Sequence, residues 1–166
     1  QRVEPVSGCT TDGEVLVVDA GRTERIARID PLDPFSILDG HGLRKLARAG
    51  IATAWISGRS SPATTARARE LGIPHVIQGP VEKLESLRGI AAHLVLGAEE
   101  CAYMGDDEID VAAMRWAGIA IAPPAAMPVA LAAADVVTQR AGGHGAVREV
   151  CDLLLASRER KRRAAG

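Results

Sequence analysis

Short aliphatic runs separated by stretches with helical spacing recur from about residue 50 to the end of the chain. The runs Ala52–Ile56, His75–Ile77, Cys101–Met104, Gly118–Ile121 and Asp135–Val137 read as strands, and their near-continuous apolar character suits strands covered on both faces. Between them the polar spacing predicts helices near Gly42–Ala49, from Ser61-Pro62 onward, over Val81–Leu96, over Ile109–Ala117 and over Ala146–Ala156. Gly50 suits a left-handed C-cap, and Ser61-Pro62 is a capping residue followed by proline at the first helical position. Strands and helices alternating in this way predict an α/β fold, a central parallel sheet with helices on both faces.

The N-terminal part follows a different pattern. Val15-Leu16-Val17-Val18 and Thr23–Ile29 flank Asp19-Ala20-Gly21-Arg22, turn residues between β-formers, which predicts a β-hairpin inserted at about residues 14–30. Pro31 and Pro34 then make an irregular return to Asp39-Gly40. At the other end, Arg158-Glu159-Arg160-Lys161-Arg162-Arg163 reads as a solvated, disordered basic tail over 158–166, leaving a single domain over 1–157.

Composition narrows the class. With 166 residues and 47% apolar content the chain can bury one substantial core. Its net charge of −1 gives no global field for nucleic acid or an anionic membrane. Trp116–Ala134 carries no charge over a membrane-spanning length, but Pro123, Pro124 and Pro128 break it. Cys9, Cys101 and Cys151 are odd in number and widely spaced, against a disulfide framework or a zinc site and in keeping with a reducing cytoplasm. His41, His75 and His93 have no spacing that suggests a shared metal.

Candidate chemistry gathers after the strands. Tyr103-Met104-Gly105-Asp106-Asp107 places carboxylates just beyond a strand end, where open α/β sheets collect ligands. Asp106 is a candidate Mg²⁺ ligand, with Asp107 and Asp110 behind it. The alternative is an acidic helix start that satisfies free N–H groups. Ser57-Gly58-Arg59 offers a hydroxyl, backbone N–H groups and a guanidinium to a phosphate, and Lys83 at a helix start offers a point charge. Gly142-Gly143-His144-Gly145 forms a glycine-rich entry to the last helix but lacks the dinucleotide and P-loop spacings.

Taken in order, these segments resemble the haloacid dehalogenase superfamily, specifically its small cap-less 3-deoxy-D-manno-octulosonate 8-phosphate phosphatases. The resemblance rests on Thr11-Asp12-Gly13, Asp39-Gly40-His41-Gly42-Leu43, Ser57-Gly58-Arg59, Gln78-Gly79 with Lys83, Tyr103-Met104-Gly105-Asp106-Asp107 with Asp110, and Gly142-Gly143-His144-Gly145-Ala146-Val147-Arg148-Glu149. It implies a Rossmannoid three-layer sandwich with a hairpin insertion and no large cap. It also implies Mg²⁺, a phosphorylated sugar-acid ligand, and a homotetramer in which Gly142, Gly143, His144 and Arg148 approach a neighbour's site.

The family's Asp-x-Asp nucleophile motif falls on Pro5 and Ser7, counted back from Thr11-Asp12-Gly13. Proline neither attacks phosphorus nor binds a metal, and Ser7, Cys9 or Asp12 would have to substitute within a narrow in-line geometry. Leu38 and His144 stand where the family has arginines. The expectation is therefore a catalytically impaired, oligomeric binding or assembly module, with Mg²⁺ weak or absent and a partner enzyme of sugar-acid metabolism. The alternative is an active Mg²⁺-dependent phosphatase with a non-standard nucleophile.

Overall fold

The computed structural model describes residues 15–19, 36–164 and 166, with side chains from Ser36 onward. In chain order come β1 (Val15–Asp19), α1 (Ile37–Arg48), β2 (Ala52–Ser57), α2 (Pro62–Leu71), β3 (His75–Gln78) and α3 (Lys83–Leu94). They are followed by β4 (Cys101–Met104), α4 (Val111–Trp116), β5 (Ile119–Ala122), α5 (Pro128–Ala133), β6 (Val136–Val137) and α6 (Ala146–Ala164). Tight 3₁₀ turns at Ala98–Glu100 and Glu108–Asp110 lead into β4 and α4.

Among the described residues six strands pair in parallel in the order β3-β2-β1-β4-β5-β6. Strand order therefore runs outward in both directions from the β1–β4 pair, and ligand crevices in such sheets open at the carboxyl ends beside that switch point. Side chains alternate across the sheet. Trp55, Ala102, Met104 and Ile121 join Leu43, Leu46, Leu71 and Val150 of α1, α2 and α6, whereas Ala54, Ile56, Tyr103 and Ala120 join Leu87, Ile90, Met114 and Ala130 of α3, α4 and α5. The result is the expected three-layer α/β sandwich. Only residues 58–61 separate β2 from α2, which leaves no room there for a cap.

The N-terminal strand departs from expectation. Val15–Asp19, predicted as one arm of a hairpin, is the central strand, with Val15 opposite Ala52 and Cys101, Val18 opposite Met104, and Asp19 opposite Ile56. The physical reason lies in the run itself: Val-Leu-Val-Val has no period-two alternation, so it suits a strand covered on both faces better than a half-exposed hairpin arm. The other predicted arm, Thr23–Ile29, lies outside the described residues.

Helix boundaries follow their caps. Helix α1 starts at Ile37, earlier than its glycines suggest, because the Ser36 hydroxyl accepts from Asp39 N at 3.3 Å. Gly42 earns its place by packing, since a Cβ there would lie 3.1 Å from the Arg148 Cα of α6. At its end Gly50 (φ 74°) closes a Schellman arrangement, with Ile51 N donating to Leu46 O and Gly50 N to Ala47 O. Ser61 caps α2 as predicted, with Pro62 in its first turn. The basic tail is also different from its prediction: α6 continues to Ala164, and Arg158 donates to the carbonyl of Ala49, the C-cap of α1, at 2.7 Å. Cations in the last turn of a helix offset its dipole, so this charge run extends the helix rather than dissolving it.

Candidate active site

Asp110 organises the carboxyl edge of the sheet. Its Oδ1 accepts from Lys83 Nζ and from the Tyr103 hydroxyl, each at 2.7 Å, and its Oδ2 accepts from the backbone N–H groups of Asp106 and Asp107, each at 3.2 Å. All three side chains are buried, Lys83 at 4% exposure and Asp110 and Tyr103 at 0%. The acidic carboxylate is thus fully engaged and acts as a positioning residue, tying the lysine at the start of α3 to the turn after β4. Gly105 makes room for it, since a Cβ at that position would sit 2.4 Å from the Asp110 Cβ.

The remaining acids divide their work. Asp107 caps the 3₁₀ turn, accepting from Glu108 N at 2.7 Å. Asp106 is buried, and its carbonyl accepts from Met127 N at 2.8 Å, which fixes the turn against the start of α5. Asp106, the first acid beyond the end of β4, is the predicted direct metal ligand. Its hard oxygen donors match Mg²⁺, which keeps water and phosphate oxygens in its shell and needs few protein ligands. Among the described residues no group of three His, Cys, Asp or Glu converges on a common point.

Ser57 closes β2 on the same edge. Its hydroxyl donates to Arg59 O at 3.0 Å and accepts from Arg59 N at 3.2 Å, which turns the chain at Gly58 and leaves Gly58 and Arg59 exposed at the rim. Gln78 at the end of β3 braces this turn, accepting from Ser61 N and donating to Thr65 Oγ1, both at 2.8 Å. Between the Ser57 and Asp106 branches runs β1, and its last residue, Asp19, lies one position beyond the Val18–Met104 pair. The topology thus brings Ser57, Lys83, Asp106 and the backbone of Asp19 to one edge. Pro5 and Ser7 lie outside the described residues.

The glycine-rich loop is held by carboxylates. Glu149 accepts from Gln139 N and Arg140 N at about 3 Å, and Asp39 of α1 accepts from Arg148 N at 2.9 Å. Gly143 (φ 72°) and Gly145 (φ 100°) supply the left-handed turns between these ties, and His144 is exposed. The Arg148 guanidinium is paired with Asp152 at 2.8 Å. Asp39 therefore acts as a cap on α6 supplied from another helix, a role the sequence did not announce. Burial raises its pKa, opposed by the Arg148 N–H, and its Oδ2 has no hydrogen-bond partner among the described residues. A cavity of about 530 Å³ lies beside this loop, lined by Leu38, Arg140, Arg148 and Leu153 among others, and includes none of Ser57, Lys83 or Asp106. Burial pushes the Cys101 thiol up to about 11 and the Cys151 thiol up to about 12, so neither is a nucleophile.

Sequence comparison agrees with this geometry. Residues 53–150 match the family described as haloacid dehalogenase-like hydrolase. The chain belongs to that family. The 3-deoxy-D-manno-octulosonate 8-phosphate phosphatase of Yersinia pestis is 37% identical over 161 residues, covering 97% of this chain and 82% of that protein. The enzyme of the same name from Escherichia coli K12 is 38% identical over 150 residues, covering 90% and 76%. Among solved structures, the Moraxella catarrhalis phosphatase in complex with magnesium, phosphate and KDO superposes with a TM-score of 0.78 at 39% identity, over 87% of this chain and 86% of that one. The cobalt-bound Haemophilus influenzae phosphatase gives 0.77 at 32% identity, over 87% of each chain.

Two features of the site escaped sequence reasoning. Asp19, which the sequence places in a hairpin turn, ends the central strand instead, because its strand neighbours lie far along the chain. The Tyr103 hydroxyl contact with Asp110 has no local signature, because the strand and the turn beyond it must both form before the two side chains meet.

Proposed function

We propose that the protein binds the phosphate of a 3-deoxy-sugar-acid phosphate at the edge formed by Ser57, Lys83 and Asp106, and hydrolyses it slowly from Asp19. The observation that carries this reading is the place of Asp19 at the carboxyl end of the central strand, between the Ser57 and Asp106 turns. An aspartate there meets the requirement of a carboxylate nucleophile that Pro5 fails. The Asp19 carboxylate attacks phosphorus, the bond to the sugar oxygen breaks, and water then cleaves the aspartyl phosphate. Lys83, oriented by Asp110, supplies positive charge to the phosphoryl oxygens, and the Ser57 turn presents backbone N–H groups to them. Mg²⁺ held by Asp106 with Asp19 would neutralise phosphate charge and orient the attack.

Impairment enters at proton transfer. The position two beyond Asp19 is Gly21, so this nucleophile has no acid/base partner where the family's spacing places one. Loss of a positioned general acid costs roughly 10²–10⁴ in rate. Turnover is therefore expected well below that of an intact family member.

A second reading, favoured by Pro5 and Ser7 at the motif positions and by the cavity beside the glycine-rich loop, is a non-catalytic homotetrameric module. In it Gly142, Gly143, His144 and Arg148 reach a neighbour's site, and a cytoplasmic partner enzyme of sugar-acid metabolism uses the assembly. Phosphate release from an eight-carbon keto-sugar-acid phosphate with Mg²⁺ separates the two. Turnover by the natural chain that disappears in Asp19→Asn supports the first. An inactive natural chain that gains turnover as Pro5→Asp/Ser7→Asp supports the second.

A further inference from the structure

His75 opens β3 and His93 lies in the last turn of α3. Because β3 runs toward the candidate active site and α3 runs back from it, the two histidines meet at the opposite edge of the sheet. Their ring centroids are 5.9 Å apart, with the planes at 73°. Among the described residues neither imidazole makes a hydrogen bond or an ion pair. His75 is half-buried and His93 exposed, which leaves the pair open to solvent on one side.

We propose that His75 and His93 form a two-histidine site for a borderline divalent transition-metal ion such as Zn²⁺, with water completing its coordination. Imidazole is a ligand that Zn²⁺ favours, and with metal–nitrogen bonds of about 2.0–2.1 Å two rings sharing one ion have centroids roughly 5–6.5 Å apart. The observed spacing falls inside that range. Burial, and then the neighbouring His93, lower the His75 pKa, which favours the neutral form that a metal ligand requires. The site differs in chemistry from the carboxylate edge around Asp106, which suits a hard ion. An ion here would clamp β3 to α3, the unit that ends in Gln78 at one turn of the candidate active site and delivers Lys83 to the other.

The chain has four histidines, so their imidazole resonances can be followed individually. Substoichiometric Zn²⁺ added at pH 7.5, with Mg²⁺ in excess, is expected to shift the His75 and His93 ring signals before those of His41 and His144. His93→Gln, at an exposed position, is expected to fold normally and to weaken Zn²⁺ binding by about tenfold or more in calorimetric titration. Perturbation of His41 or His144 first, or equally with the pair, overturns the proposal. So does an unchanged Zn²⁺ affinity in His93→Gln.

Discussion

Replacing Asp110 by asparagine tests the keystone of the carboxyl edge. The carboxylate receives four hydrogen bonds, from Lys83, Tyr103, Asp106 N and Asp107 N. An asparagine must turn its NH₂ toward one pair of donors, either the two backbone N–H groups or Lys83 and Tyr103. Either way the ammonium of Lys83, only 4% exposed, loses the Asp110 charge beside it. Removing one partner of a buried ion pair costs about 3–5 kcal/mol. For a domain of this size that corresponds to a fall of roughly 6–20 °C in Tm. Urea and thermal unfolding followed by far-UV circular dichroism would measure it, and outright failure to fold is the upper end of the same outcome. Combining Asp110→Asn with Lys83→Met removes both members of the pair, so the double variant should lose less than the sum of the single losses, by about 2 kcal/mol or more. A single-variant loss below about 1 kcal/mol, or simple additivity, would refute the buried network as described.

Other outcomes follow from single residues. Val95 closes α3 at φ 59° while 88% exposed, so it bears left-handed strain with little packing to offset it; Val95→Gly should stabilise the fold by about 1 kcal/mol in urea unfolding. His75 has its pKa lowered from 6.5 by burial and by His93, so the unfolded chain takes up its proton first as pH falls. The stability contribution of neutral His75 is therefore complete above 6.5 and is lost progressively as pH falls through the lowered folded value. His75→Gln should flatten the stability profile in that window relative to the natural chain.

Much of the sheet was legible because its strands are short apolar runs with Gly, Pro or Ser at their ends. Cys101–Met104 matches its strand residue for residue, and Ser61-Pro62 and Gly50 perform the capping their chemistry predicts. What the sequence concealed depends on partners far along the chain. Gly40 and Gly42 discourage helix locally, yet the first turns of α1 form because Ser36 caps them and because Gly42 lets α1 approach α6. The basic end reads as a tail until Arg158 meets the carbonyl of Ala49. His75 and His93 show no metal spacing in one dimension and become neighbours only when α3 folds back beside β3. At the site, Lys83 and the double aspartate were visible as chemistry, but the division of labour among Asp106, Asp107 and Asp110 required the turn itself.

The same limit governs the proposed nucleophile. Motif spacing points to Pro5, whereas strand pairing puts Asp19 at the end of the central strand. With Gly21 in place of an acid/base, hydrolysis of an aspartyl phosphate should be slow, so the intermediate should live long enough to be trapped. Acid quenching after incubation with Mg²⁺ and substrate, borohydride reduction of the acyl phosphate to homoserine, and peptide mass mapping would locate it. Homoserine at residue 19 is the predicted result. Its appearance at another residue, or an unmodified Asp19 while phosphate is being released, would contradict the assignment.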